Sequence, residues 1–147
     1  MNSGATLKVK AELENLVVIR RFVKERAQAL LTKPTAIDDI VLAVDEAATN
    51  VMVHGYQSEA GQIEIEIQPE ESSLIIRLRD QAPVFDPTYV PEPDLTLPFD
   101  QRPLGGLGVF LIRHFMDQVI YHPTPGGGNE LTLIKEGVLS KRPKDEN

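Results

Sequence analysis

Apolar and polar residues change period several times along this chain, and each change marks an element. Residues 5–10 (ATLKVK) alternate and predict a short strand. Leu16, Ile19, Val23, Ala27 and Leu30 recur at helical spacing, so residues 12–31 read as a helix, which Lys33-Pro34 breaks. Thr35 then reads as an N-cap, with Asp38 as the acid three residues on, and a second helix runs to about His54 and stops at Gly55. QIEIEIQ (62–68) alternates strictly, with Ile63, Ile65 and Ile67 on one face. Pro69 to Ser72 predicts a turn, and SLIIRLRD (73–80) is the return strand of a hairpin. Periodicity then ceases. From Asp86 to Leu104 the chain holds five prolines (Pro87, Pro91, Pro93, Pro98, Pro103) and four acids, a length of irregular chain that a small domain usually keeps for function or leaves disordered. GGLG (105–108) leads into a third helix through VFLIRHFMD. QVIYH (118–122) and NELTLIK (129–135) are two closing strands joined by TPGGG.

The order β-α-α-β-β-loop-α-β-β predicts a two-layer α/β (α+β) sandwich, a mixed and mostly antiparallel sheet with helices over one face. A length of 147 residues with 41% hydrophobic content supports one core, so residues 1–147 read as a single domain with a charged tail from about residue 138. The formal net charge of −7 argues against nucleic-acid binding, which needs clustered Lys and Arg. An anionic ligand would therefore have to be held by local devices. The absence of cysteine excludes disulfides and thiol chemistry and fits a reducing compartment. No apolar run approaches the roughly 18 residues of a membrane-crossing helix. A cytoplasmic protein without membrane attachment is the expectation.

Three places carry candidate chemistry. On the second helix, Ile37, Ile40, Val41, Val44, Ala47, Ala48 and Val51 fall within roughly 120° and form the buried stripe. Glu46 and Asn50, four residues apart, share a different face. A carboxylate there can take a proton, and a carboxamide oxygen can hold a hard cation. Spacing alone is that of a solvated face. Asn is a mediocre helix former with no capping job at this position, and Ala43 would let something approach closely. Asp80 shares the parity of Leu74, Ile76 and Leu78, so it sits at the apolar end of a strand and needs donors. These are either backbone N–H groups of the next turn or a ligand amine. Gly105, Gly106 and Gly108, directly before a helix, leave backbone N–H groups to point at an anion, or simply make a tight turn. Thr132, in the last strand between Leu131 and Leu133, and Arg102, before the glycines, are weaker candidates. His54 reads as a helix-end residue, and the three histidines show no metal-ligand pattern.

Taken in order, E-x-x-x-N on a helix, a strand-end Asp, a long loop, a glycine-rich helix start and a Thr-bearing final strand resemble the GHKL ATPase superfamily, with its Bergerat, histidine-kinase-like ATPase fold. VDEAATNVMVHGY, RDQAPVFDP, LGGLGVFLIRHFMDQVIYH and GGGNELTLIK resemble its short branch, the bacterial anti-sigma factor serine kinases, from about residue 7 to 136. The resemblance implies a sheet covered on one face by three helices. It implies an ATP- and Mg²⁺-dependent serine/threonine-protein kinase that phosphorylates an anti-sigma-factor antagonist, binds a sigma factor and forms a homodimer. Glu46 would be the general base, and Asn50 would hold Mg²⁺. Asp80, helped by Thr132, would accept from the adenine amine. Gly105, Gly106 and Gly108 would line the phosphates, and residues 86–104 would form the ATP lid.

One departure stands out. The family usually has D-x-G-x-G after the strand, whereas this chain has Asp80-Gln81-Ala82-Pro83-Val84. A β-branched residue such as Val84 disfavours positive φ. The replaced glycines leave the ATP affinity open and make a catalytically weak or inactive, nucleotide-gated protein-binding module of the same fold the alternative.

Overall fold

The computed structural model describes residues 4–57, 59–84 and 106–140. The expected lid (86–104), Arg102, Gly105 and the tail from Lys141 lie outside the described residues. Five strands, β1 (Ala5–Lys10), β2 (Gln62–Glu70), β3 (Ser73–Asp80), β4 (Gln118–Pro123) and β5 (Asn129–Lys135), form one sheet in the order β1-β2-β3-β5-β4. All four pairings are antiparallel, where the sequence reading had allowed a mixed sheet. Three helices, α1 (Leu16–Ala29), α2 (Pro34–Asn50) and α3 (Gly106–Phe115), supply the second layer, with α2 in contact with both α1 and α3.

Register explains the layering. Ile63, Ile65 and Ile67 of β2 stand opposite Asp80, Leu78 and Ile76 of β3, and Leu78 and Ile76 stand opposite Leu131 and Leu133 of β5. These residues share one face and pack with Ile19, Val23, Ile40, Val44 and Ile112 from the helices and with Met116 just after α3. Each large apolar side chain removed from water contributes roughly 1.5–3 kcal/mol. The opposite face carries charge. There Arg79 reaches Glu130 at 2.7 Å, Glu66 at 2.9 Å and Glu64 at 3.8 Å, while Arg77 lies 3.7 Å from Glu66. These cross-strand pairs favour the observed register.

Several boundaries differ from the sequence reading. The first helix begins with a short 3-10 turn at Leu13–Asn15 before α1 proper. At the start of α2, Lys33 takes the N-cap position and makes no side-chain capping bond, and Pro34 opens the helix. Thr35 is therefore not the cap, because proline's fixed φ already suits the first helical position and needs no donor. β2 runs through Pro69 to Glu70, and the hairpin closes over Glu71 and Ser72, with Glu71 at φ 56°. Val138 is buried rather than part of a loose tail. The amides of Val138 and Leu139 donate to the Ser72 carbonyl, Lys33 N–H donates to Val138, and Ser140 N–H donates to Leu31.

Candidate functional site

Helix α2 is apolar on more than one side because α1, the sheet and α3 all pack against it. Ile37, Ile40, Val44, Ala47, Ala48 and Val51 are buried as the periodicity predicts. Ala43 and Asn50 are buried as well. The face bearing Asn50 is thus not a solvated one. Glu46, one turn earlier, is half-buried, and burial raises its carboxyl above the ordinary range, with the charge of Asp45 adding to the rise. Asp45 itself is held by Arg20 at 2.6 Å.

The Asn50 amide Nδ2 is enclosed and has no hydrogen-bond partner among the described residues. An unpaired buried amide costs on the order of 1–3 kcal/mol, so its retention points to a ligand or water that completes it. Directly after Asn50, residues Val51–Gly55 form a π-helical turn, in which Tyr56 N–H donates to Val51 C=O at 2.8 Å. Such widened turns are frequent at functional sites. Met52 and Gly55 are buried, and Tyr56 carries the chain out of the helix toward β2.

At the far end of β3, Asp80 is 4% exposed and faces the helix layer. Its Oδ1 accepts from Ala82 N–H at 2.9 Å and from Asn129 Nδ2 at 2.8 Å. Burial raises the Asp80 carboxyl, and these two donors oppose the rise. The Tyr56 hydroxyl donates to Gln62 C=O at 2.7 Å and accepts from Gln81 N–H at 2.8 Å, which fixes the strand end that carries Asp80. Neither Ala82 nor Val84 adopts positive φ, so the backbone strain expected at Val84 is not present. Ala82 is fully buried beside Asp80, whereas Val84 is exposed.

Glu46 and Asn50 stand together on α2, and α3, which starts at Gly106 and includes Gly108, packs against that helix. Thr132 is a correction. It pairs with Arg77 on the charged face of the sheet, while Asp80 pairs with Asn129 on the other. Thr132 therefore cannot assist Asp80, and Asn129 occupies that place. The sequence held the signal: Leu131 and Leu133 face the core, and residue 129 shares their parity while 132 does not. A groove of about 910 Å³ between α1 and α2 is lined by residues that include Arg20, Lys24, Asp38 and Asp45, and by neither Glu46, Asn50 nor Asp80. It is a separate feature of the outer helical surface.

The half-buried Glu46 carboxylate, the buried Asn50 carboxamide one turn on, the strand-end Asp80 and the helix that starts at Gly106 are all carried by a helix-covered antiparallel sheet. The chain belongs to the histidine kinase-like ATPase domain family, whose profile matches residues 9–135. It is similar to the anti-sigma F factor of Clostridium acetobutylicum, at 30% identity over 140 residues covering 90% of this chain and 93% of that protein. It is also similar to the serine-protein kinase RsbW of Bacillus cereus, at 30% identity over 117 residues covering 77% of this chain and 73% of the relative. Among solved structures, that of the RsbU and RsbW domains of a Mycobacterium tuberculosis protein superposes with a TM-score of 0.63. At 17% identity, over 94% of this chain and 33% of that one, the match shows a shared fold.

Proposed function

We propose that this protein is an ATP-dependent serine/threonine-protein kinase and anti-sigma factor, which phosphorylates an anti-sigma-factor antagonist and binds a sigma factor. The observation that carries the reading is the pairing on α2 of Glu46, half-buried with a raised carboxyl, and Asn50, buried with an Nδ2 that finds no partner among the described residues. The names of the similar proteins, an anti-sigma factor and a serine-protein kinase, support both halves of the reading.

In this reading Glu46 accepts the proton of the attacking serine hydroxyl as the serine oxygen bonds to the γ-phosphorus and the bond to the β-phosphate oxygen breaks. A raised carboxyl is a stronger base and suits that step. Asn50 offers a neutral, hard oxygen to Mg²⁺. No cluster of three or more His, Asp or Glu side chains able to hold a metal occurs among the described residues, so phosphate and water oxygens would complete the shell. When bound, Mg²⁺ neutralises charge on the phosphates. Backbone N–H groups of Gly106 and Gly108 at the start of α3 would meet the same phosphates, together with Gly105 of the same glycine-rich sequence, and Asp80 would accept from the adenine amine.

The test is incubation with Mg-ATP and a candidate antagonist that bears an acceptor serine. Wild-type protein is expected to form phosphoserine. Glu46→Gln is expected to lower kcat by roughly 10²- to 10⁴-fold while retaining ATP. Absence of phosphoserine with wild type, or an unchanged rate in Glu46→Gln, refutes the assignment.

A further inference from the structure

Asp80 is not held by the backbone alone. Its Oδ1 is shared by Ala82 N–H and the Asn129 amide, so one carboxylate oxygen carries both donors found among the described residues. Asn129 is 3% exposed and spends its other end on a second contact: the Tyr121 hydroxyl donates to Asn129 Oδ1 at 2.6 Å. Tyr121 comes from β4, Asn129 from β5 and Asp80 from β3, so the chain of hydrogen bonds crosses three adjacent strands. Asn129 Nδ2 also lies 3.4 Å from Ala82 C=O and 3.3 Å from Pro83 C=O, which ties the turn after β3 to the same amide.

An asparagine side chain can present either its oxygen or its nitrogen to a neighbour, since rotating the amide by half a turn exchanges them. With oxygen toward Asp80, two acceptors would face each other in a dry site. The acceptors around Nδ2 decide the matter, because Asp80 Oδ1 and the carbonyls of Ala82 and Pro83 all require a donor there. The Tyr121 hydroxyl then donates to Oδ1 and holds the amide in that setting. Hydrogen bonds in such a chain also polarise one another. The result is a carboxylate held in one rotamer, with Oδ1 occupied and Oδ2 left to accept from a ligand.

We infer that Tyr121 and Asn129 are positioning residues that lock Asp80 as an acceptor for the 6-amino group of a purine, and so set preference for a 6-amino over a 6-oxo base. This rests on the nucleotide reading given above. A 6-oxo purine would place its carbonyl against the carboxylate, and the more rigidly Asp80 is held, the less it can turn away. Neither Tyr121 nor Asn129 needs to touch the nucleotide for this effect.

The experiment measures Kd for Mg-ATP and Mg-ITP by calorimetry on the full chain, with melting temperature recorded for each variant. The hydroxyl deletion Tyr121→Phe is expected to weaken ATP by about fivefold, and Asn129→Leu by on the order of thirtyfold, with ITP unchanged within twofold. The ATP-to-ITP preference then falls in both, and kcat at saturating ATP stays within about twofold of wild type in Tyr121→Phe. If Asn129→Leu fails to fold, Tyr121→Phe alone decides. Unchanged preference in Tyr121→Phe, or equal loss of both nucleotides, as general loosening of the sheet would give, overturns the inference while leaving the nucleotide reading intact. Wild type that binds neither nucleotide removes that reading and the inference with it.

Discussion

Gly128 has no room for a side chain, and its neighbour in that space is the site itself. It sits at φ +101°, and a Cβ there would lie 2.3 Å from the Asp80 carbonyl oxygen, 2.9 Å from Thr124 Oγ1 and 3.2 Å from Gln81 Cα. The nearest atom is backbone of β3 and cannot rotate aside. Relief requires that β3 and β5 separate where Asp80 pairs with Asn129. Gly126 provides the control, with φ +86° and nothing within 4 Å of the same added atom. Gly126→Ala therefore carries only the cost of positive φ, about 1–2 kcal/mol. Gly128→Ala carries that cost and the overlap, for a total of about 3–5 kcal/mol. The two variants are expected to differ by about 2 kcal/mol or more, close to 4–8 °C in Tm for a chain of this size. Urea denaturation with an unchanged slope measures the difference, and ATP calorimetry shows whether only Gly128→Ala loses affinity. Equal midpoints for the two variants would refute the reasoning, because they would show that the contact with Asp80 adds nothing.

Further expectations follow from the same geometry. Arg79→Met leaves Glu64, Glu66 and Glu130 without their shared cation on a partly exposed face, and is expected to cost about 1 kcal/mol in urea denaturation, less at high salt. Ile65→Ala, at a fully buried position of β2, is expected to cost about 2–5 kcal/mol in the same assay. The Glu46 carboxyl is raised in the folded protein, so the folded state binds its proton more readily than the unfolded one. Its contribution to stability is therefore lost as pH rises from the ordinary carboxylate value through the raised one, and Glu46→Gln is expected to flatten that part of a stability-versus-pH curve. Phosphorylation rate has the opposite trend, falling as pH drops through the raised Glu46 value, because only the ionised carboxylate accepts a proton. A pH–rate profile measured with saturating ATP checks it.

Strict alternation and helical spacing made most of the architecture readable. The hairpin of β2 and β3, the extent of β5 and the apolar stripe of α2 all depend on side chains that follow a single period. Asn50 was harder, since its burial comes from contacts that no periodicity within α2 encodes. The N-terminus of α2 misled because Thr35 and Asp38 have capping chemistry, while Pro34 had already set the helix start. Thr132 misled for a different reason. Its residue type fitted the expected role, but strand pairing put it opposite Arg77, and only register reveals that Asn129 meets Asp80. The Tyr121 contact could not be read at all, because it joins strands through side-chain reach rather than through sequence spacing.

The sheet order has a consequence for how this chain is made. β3 lies at the centre of the described sheet, yet one of its two neighbours is β5, which is made only after α3 and β4. Until Asn129–Lys135 is synthesised and free, β3 offers an open edge of unpaired amides and carbonyls next to a run of Leu and Ile side chains. The segment at Val138–Ser140, which stitches the β2–β3 turn to the α1–α2 junction, arrives later still. Nascent chains shortened before that point would therefore be the aggregation-prone species, and slow translation between β3 and β5 would lengthen their exposure.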